Sequence, residues 1–212
     1  MAADHLEFLV EEASMETFLI AMLPNLIGDR ATFNVHSHQG KGDLLAKLGA
    51  RLRGYSKWLP SNFKIFVIVD RDFDNCSNLK ARLERDAAQA KLKSRTAGAG
   101  WNFVSRIAIE ELEAWYFGDW DSVIAAYPRV GKNIPTQAAY RDPDNIAGGT
   151  WETLERILQR SHYFPTGLRK LEIAREVGAR FDSDRCSSRS FAIFRQAILE
   201  AVSVRTPPED VR

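Results

Sequence analysis

An uninterrupted apolar run that ends in acidic residues constrains the fold of this chain most strongly. Residues Ile65–Val69 are all β-branched or aromatic, and Asp70, Asp72 and Asp74 follow them. Such a run, without polar alternation, is typical of a strand buried on both faces at the centre of a parallel sheet. In open α/β sheets, ligands bind beyond the carboxyl ends of the strands. We therefore expect Asp70 and Asp72 to lie at a site, where close carboxylates favour Mg²⁺ or Mn²⁺.

Strand and helix patterns alternate from the N-terminus to about residue 127. The strand patterns are those of residues 6–10, 32–36, 64–70 and 101–109. This alternation predicts an α/β domain over residues 1–127, with a mostly parallel, Rossmann-like sheet flanked by helices. The alternation stops there, and helical patterns at about 150–160, 167–179 and 189–203 carry an excess of Lys and Arg. Residues 128–212 are therefore predicted to form a mainly helical, basic extension packed on the α/β domain.

Acidic residues follow three of the predicted strands. If these strands are parallel and adjacent, their carboxylates meet at one edge of the sheet and can hold one or two divalent ions, about 3.5–4 Å apart when there are two. Such ions orient water and neutralise a phosphate, so the cluster suits phosphodiester chemistry. The pattern predicts that a helix begins at Glu110, and its spacing does not choose among Glu110, Glu111 and Glu113. The candidate metal ligands are Glu11, Glu12, Asp70, Asp72, Glu111 and Glu113.

Basic residues offer two further candidates for contact with a substrate. Lys41 lies between Gly40 and Gly42, but the spacing is not that of a phosphate-binding P-loop. Lys41 either contacts a nucleic-acid phosphate or is a solvated lysine in a turn. Lys47 and Arg51 share one face of the following helix, which is either simply solvated or a surface for a nucleic-acid strand. The candidate catalytic residues are Glu11, Lys41, Asp70 and Asp72.

Composition and charge exclude several classes of protein. The 212 residues carry a formal net charge of +1, so overall charge does not indicate a partner. The two cysteines, Cys76 and Cys186, are far apart, which favours a reducing compartment over a disulfide framework. No apolar run approaches the ~20 residues of a membrane span, and the N-terminus is acidic where a secretory signal is basic. We expect a cytoplasmic protein without a membrane partner.

Motifs spread along the chain resemble the Toprim-like family known as domain of unknown function 4276. The Toprim domain of topoisomerases, primases and OLD-family nucleases carries a glutamate after its first strand and an Asp-x-Asp after a later one. Here Val10-Glu11 resembles the first motif and Asp70-Arg71-Asp72 the second. Toprim domains usually have glycine where this chain has Glu12, which makes Glu12 an added candidate ligand. The resemblance extends through residues 39–45 and 109–115 to Gly148-Gly149-Thr150 and Ser188-Arg189-Ser190-Phe191.

The resemblance implies a divalent-metal-dependent nuclease that uses Mg²⁺ or Mn²⁺ to hydrolyse DNA or RNA. Of the two interpretations of the nucleic-acid partner, DNA is favoured over RNA. The Glu-x-Glu of related Toprim-like proteins favours Glu111 and Glu113 as ligands of a second metal. The family also implies a bacterial defence or mobile-element system, often with an ATPase partner. The alternative is a non-catalytic metal-binding protein that acts as a regulatory or scaffold partner of an ATPase.

Overall fold

A four-stranded, wholly parallel sheet lies at the centre of the protein, as a computed structural model shows for residues 2–72 and 74–203. The strands are β1 (His5–Val10), β2 (Thr32–Ser37), β3 (Phe63–Asp70) and β4 (Phe103–Ala108). Their order across the sheet is β2-β1-β3-β4, so β1 and β3 are the inner strands. The predicted α/β fold with a parallel, Rossmann-like sheet is confirmed.

Eight α-helices, counted within the described residues, surround this sheet. They are α1 (Ala13–Ile27), α2 (Lys41–Tyr55), α3 (Cys76–Gln89), α4 (Glu113–Gly118), α5 (Trp120–Ala126), α6 (Thr150–Arg160), α7 (Lys170–Gly178) and α8 (Arg189–Val202). None of these helices combines the length and apolarity that crossing a bilayer requires.

Strand β3 is buried on both faces, as its continuous apolar sequence predicts. Phe66 and Ile68 belong to a large core that includes residues of α1, α4 and α6–α8, whereas Ile65, Val67 and Val69 pack in a second core against α2 and α3. Because side chains alternate along a strand, successive residues of β3 serve opposite layers. Residues Ile65–Val69 are therefore apolar on both faces, and the charged residues of the strand, Lys64 and Asp70, flank this run.

The C-terminal helices complete the larger of these two cores. The ring of Phe194 in α8 lies 6.3 Å from those of Phe8 and Phe66, edge-on in both cases. The backbone N–H of Ala3 also donates to Ala201 O at 2.7 Å. Helix α8 thus packs directly on the sheet, whereas α7 packs on α1 and α6 on α4. Residues 204–212 of the predicted extension lie outside the described part of the chain.

The helix predicted to begin at Glu110 begins instead at Glu113, so this prediction is wrong. The carbonyl oxygen of Glu110 accepts the backbone N–H groups of Arg71 at 2.9 Å and Asp72 at 3.2 Å. A helix starting at Glu110 would use the same oxygen for its own i+4 bond. Because the turn after β3 uses this carbonyl oxygen, the oxygen is not available to a helix, and α4 begins three residues later, at Glu113.

Candidate metal centre

Glu11, Glu12 and Asp70 form a compact acidic group, called here the carboxylate cluster. Because β1 and β3 are adjacent and parallel, with Val10 opposite Ile68, the C-terminal ends of the two strands lie side by side. Each of the three acids offers one carboxylate oxygen, and these oxygens all lie within 4.8 Å of one another. The cluster therefore lies at the carboxyl edge of the sheet, where open α/β folds bind their ligands.

Asp70 has the least favourable environment for a negative charge in this cluster. The residue is 5% exposed, and its Oδ1 atom is shielded from solvent without a hydrogen-bond partner among the described residues. Burial, followed by the charges of Glu11 and Glu113, holds the pKa of Asp70 well above its usual value. A buried carboxylate oxygen without a donor is stabilised by protonation or by a cation.

Two neighbouring glutamates, Glu11 and Glu113, also have raised pKa values. Burial raises the pKa of Glu11 to about 7 against the opposing effects of the Asp70 backbone N–H and of Lys41. Burial also raises the pKa of Glu113 to about 7, although Lys170 acts in the opposite direction. Oxygen donors at the end of the sheet, one of them unpartnered, fit the ligand preferences of Mg²⁺ and Mn²⁺. The carboxylate cluster can therefore hold such an ion.

Glu12, which directly follows Glu11, has no backbone strain. Glu12 has an extended backbone, with φ −145° and ψ 165°, and it occupies the N-cap position of α1. This turn therefore does not require a glycine at residue 12. In this extended conformation, a carboxylate oxygen of Glu12 lies within 4.8 Å of oxygens of Glu11 and Asp70.

Lys41 is held next to the carboxylate cluster by the loop before α2. Gly40 has φ 91°, a conformation that favours glycine, and its N–H donates to Glu11 O at 2.8 Å. This turn places Lys41 at the first residue of α2. The Lys41 ammonium donates to Asp72 Oδ2 at 2.6 Å, to Asp74 Oδ2 at 2.9 Å and to Arg71 O at 3.2 Å. Asp72 thus pairs with Lys41 outside the cluster, and its role as a metal ligand stays a prediction.

The acids after β4 separate into three different environments. Glu111 accepts the Thr150 hydroxyl at 2.8 Å and the Trp151 backbone N–H at 3.2 Å, so it caps the start of α6. Glu110 forms an ion pair with Arg71. Glu113 is 4% exposed and contributes to the raised pKa of Asp70. Of these acids, Glu113 is therefore the one coupled to the carboxylate cluster, and metal ligation by Glu111 or Glu113 stays a prediction.

Two side chains that the sequence did not assign to the acidic site are electrostatically linked to it. The sequence predicts Lys170 as either a solvated lysine or a nucleic-acid contact, and Tyr116 as part of the buried face of a helix. Lys170 Nζ lies 4.0 Å from Glu12 Oε1 and 5.2 Å from the centre of the Trp151 ring. Burial disfavours the charge of Lys170, but Glu113 and Glu12 outweigh burial and raise its pKa. The hydroxyl of Tyr116 is shielded and has no partner among the described residues. In the sequence, Lys170 is one of many basic residues in a helical segment, and its spacing does not distinguish it.

The comparisons with known proteins identify a family but no relative of established function. Comparison with curated proteins gave no match, and comparison with solved structures gave none either. The model of the family described as Domain of unknown function (DUF4276) matches residues 10–199. This match spans β1 to α8, including every residue of the carboxylate cluster. The protein therefore belongs to the DUF4276 family.

Proposed function

We propose that this protein is a divalent-metal-dependent nuclease of the Toprim type, which hydrolyses phosphodiester bonds in DNA or RNA. One observation carries the proposal: the buried, unpartnered Asp70 Oδ1 belongs to a cluster in which oxygens of Glu11, Glu12 and Asp70 lie within 4.8 Å of one another. Burial without a donor is costly, and a cation offsets this cost. The Toprim assignment is supported by the positions of Val10-Glu11 and Asp70-Arg71-Asp72 at the ends of adjacent parallel strands.

The residues of the carboxylate cluster have complementary roles in this chemistry. Glu11, Glu12 and Asp70 would hold Mg²⁺ or Mn²⁺, which supplies Lewis-acid stabilisation of the charge on the reacting phosphate. A carboxylate that is not fully used in metal ligation can act as a general base. Glu11 would hold the ion with one oxygen and is assigned to accept the proton of the attacking water with the other.

Lys41 is assigned to the substrate phosphate. Its ammonium contacts the carboxylates of Asp72 and Asp74, whose side chains are 41% and 53% exposed. A phosphate oxygen can replace one of these exposed partners with little desolvation. The exchange would keep Lys41 charged and place it against the substrate. The wider setting, a bacterial defence or mobile-element system with an ATPase partner, is supported by the family resemblance alone.

A cleavage assay with a matched pair of variants tests this proposal. Supercoiled plasmid and single-stranded RNA are incubated with wild-type protein, Asp70→Asn and Asp29→Asn, each with Mg²⁺ or Mn²⁺ and each with a chelator. Asp29 is an exposed acid away from the cluster, so its substitution makes the same chemical change without the same consequence. We expect metal-dependent cleavage by wild type and Asp29→Asn, and a rate at least roughly 100-fold lower for Asp70→Asn.

Two results would contradict the nuclease proposal. Equal cleavage by wild type and Asp70→Asn would assign the activity to a contaminant or to another site. Binding of Mn²⁺ by wild type without cleavage of any nucleic acid, with the ATPase partner present or absent, would favour the non-catalytic metal-binding alternative.

A further inference from the structure

A cavity lies on the outer side of the edge strand β4, between α3 and α8. Its volume is about 570 Å³, within the range of roughly 300–1,000 Å³ typical of small-molecule sites. Its lining combines apolar and basic side chains, of which the most relevant are Ile107, Ile109, Ile193, Lys80, Arg106 and Arg189. No residue of the carboxylate cluster lines it. The cavity is therefore a separate candidate site.

Arg106 is a largely buried cation whose charge is not matched by a direct partner. Its Nη1 donates to Ser105 O at 2.8 Å, whereas Nε and Nη2 are shielded and have no hydrogen-bond partner among the described residues. Burial, followed by the charge of Arg95, lowers the pKa of Arg106 to about 10. The Nε–Nη2 edge is one that binds carboxylates and phosphates through two parallel hydrogen bonds. An oxyanion would satisfy both free nitrogens at once.

The acidic residues near Arg106 are already paired with other groups. Glu84 lies 2.9 Å from Lys80, and Glu200 lies 2.7 Å from Arg95. Asp144 also lines the cavity, but its carboxylate accepts the Ser188 hydroxyl at 2.7 Å and the Ser190 backbone N–H at 3.0 Å. Asp144 keeps its negative charge, because its donors are neutral. Lys80, Arg95, Arg106 and Arg189, set against Glu84, Asp144 and Glu200, still leave one positive charge in excess around the cavity.

The remaining lining explains which kind of anion would fit. Arg189, the first residue of α8, is exposed and forms no ion pair within the described part of the chain. Ile107, Ile109 and Ile193 supply an apolar surface, and Ile193 is 42% exposed. A ligand with a phosphate at one end and a flat, largely apolar ring at the other complements this lining.

We propose that this cavity binds a nucleotide, with its phosphate on Arg106 and Arg189 and its base against the three isoleucines. Because Nε and Nη2 are shielded from solvent in the ligand-free protein, the Arg106 guanidinium would have to rotate toward the cavity to bind the phosphate. The ligand is a free mononucleotide or a nucleotide unit of a strand. Ala108 pairs with Asp70 in the sheet, so Ile107 and Ile109 lie one strand away from the carboxylate cluster. The binding itself does not depend on the proposed nuclease activity.

Calorimetric titration with thymidine monophosphate in the presence of a chelator tests this site, because phosphate binding through a metal is then excluded. The variants are Arg106→Gln, Arg189→Gln and Ile193→Glu, with Arg85→Gln as the matched control on the exposed side of α3. We expect Arg106→Gln to weaken binding roughly tenfold to a hundredfold, since it removes charge-assisted hydrogen bonds. Ile193→Glu should weaken binding at least about tenfold through charge repulsion and lost apolar contact.

The outcomes separate this proposal from the nuclease proposal and from simpler explanations. Asp70→Asn should bind thymidine monophosphate as wild type does; a parallel loss would place the ligand at the carboxylate cluster and overturn the proposal. Equal binding of inorganic phosphate and thymidine monophosphate would overturn the assignment of the base to the isoleucines. Absence of binding, or unchanged binding by the exposed-site variants Arg189→Gln and Ile193→Glu, would overturn it entirely.

A thymidine pentanucleotide in the same titration identifies the source of the nucleotide. Tighter binding of the pentanucleotide than of the mononucleotide, with the same sensitivity to Arg106→Gln, supports a strand as the ligand. Equal or weaker binding of the pentanucleotide supports a free mononucleotide. If Arg106→Gln alters the thermal unfolding curve, the exposed residues Arg189 and Ile193 still provide the test.

Discussion

Two buried glutamates only four positions apart, Glu7 and Glu11, have opposite environments. They are 4% and 6% exposed, so burial does not distinguish them. Glu7 lies 2.7 Å from the His36 ring and 3.1 Å from the His5 ring, and accepts the Tyr55 hydroxyl at 2.9 Å. The Glu11 carboxylate accepts one hydrogen bond among the described residues, from the Asp70 N–H at 3.3 Å.

The pKa values of the two glutamates follow from this difference in donors. Burial raises the pKa of Glu7, but hydrogen bonds from His36 and Tyr55, with those of Asn34 and His5, outweigh burial and lower it overall. Burial dominates at Glu11, and its pKa rises to about 7. A buried carboxylate with several donors stabilises the fold, whereas one with few donors and acidic neighbours favours a cation.

The contrast between Glu7 and Glu11 predicts that the affinity for Mn²⁺ depends on the buried acids with few hydrogen-bond donors and not on Glu7. Asp70→Asn should lower the affinity for Mn²⁺ by roughly 100-fold or more, since loss of a ligand should exceed the ten- to hundredfold cost of losing a group that only supports a ligand. Glu7→Gln and Asp29→Asn should leave the affinity nearly unchanged. Calorimetric titration with Mn²⁺ measures all three, and a comparable loss in Glu7→Gln would remove the distinction between the two glutamates.

Stability should depend most on the donor-rich glutamate. Glu7→Leu leaves the Tyr55 hydroxyl and the His36 ring without their acceptor, so the free energy of unfolding should fall by about 2–3 kcal/mol. Urea denaturation at pH 7 with a chelator measures this change. Glu11→Gln serves as the control, because it removes a poorly solvated charge and should destabilise the protein less or not at all. A larger loss for Glu11→Gln than for Glu7→Leu would reverse the comparison.

The stability of the metal-free protein should fall as pH rises from about 4.5 to above 7. The unfolded chain releases the proton of Glu11 or Glu113 near 4.5, whereas the folded protein retains it until about 7. The folded state therefore binds more protons in this window, and raising the pH favours unfolding, by on the order of a few kcal/mol in total. The lowered pKa of Glu7 acts oppositely, because its contribution is present above its unfolded pKa and is lost as pH falls.

Urea denaturation between pH 5 and 8 with a chelator measures this dependence. Glu11→Gln should flatten the decline, and saturating Mn²⁺ should abolish it, because the ion stabilises the ionised carboxylates. A stability that rises steadily over this range, in wild type without metal, would show that the cluster acids are not held in their protonated form.

The smallest effect concerns Lys170, the cation that the fold places beside Glu12. Lys170→Met removes a positive charge that repels the ion, so Mn²⁺ affinity should rise roughly three- to tenfold. Lys47→Met is the matched control, since Lys47 pairs with Asp43 at 2.6 Å on the exposed face of α2. Calorimetric titration compares the two, and a lower affinity in Lys170→Met would mean that Lys170 supports metal binding instead of competing with it.

The sequence by itself determined the sheet and the position of the acids on it. The alternation of strand and helix patterns predicted the parallel order of elements, and the apolar run Ile65–Val69 predicted a strand buried on both faces. Because parallel neighbours end at the same edge, the meeting of Glu11 with Asp70 followed from these local patterns. Each inference needed only the period of the chain and the identity of the residue after each strand.

Only the tertiary structure decided which acids remain available to an ion. Asp72 accepts a hydrogen bond from Lys41, and Glu111 accepts hydrogen bonds from Thr150 and Trp151. The donors in these contacts come from residues 31 to 40 positions away along the chain. Local periodicity encodes burial, but it does not encode which distant donor reaches a given carboxylate. The same reason explains why Glu7 and Glu11, alike in residue type and burial, differ in chemistry.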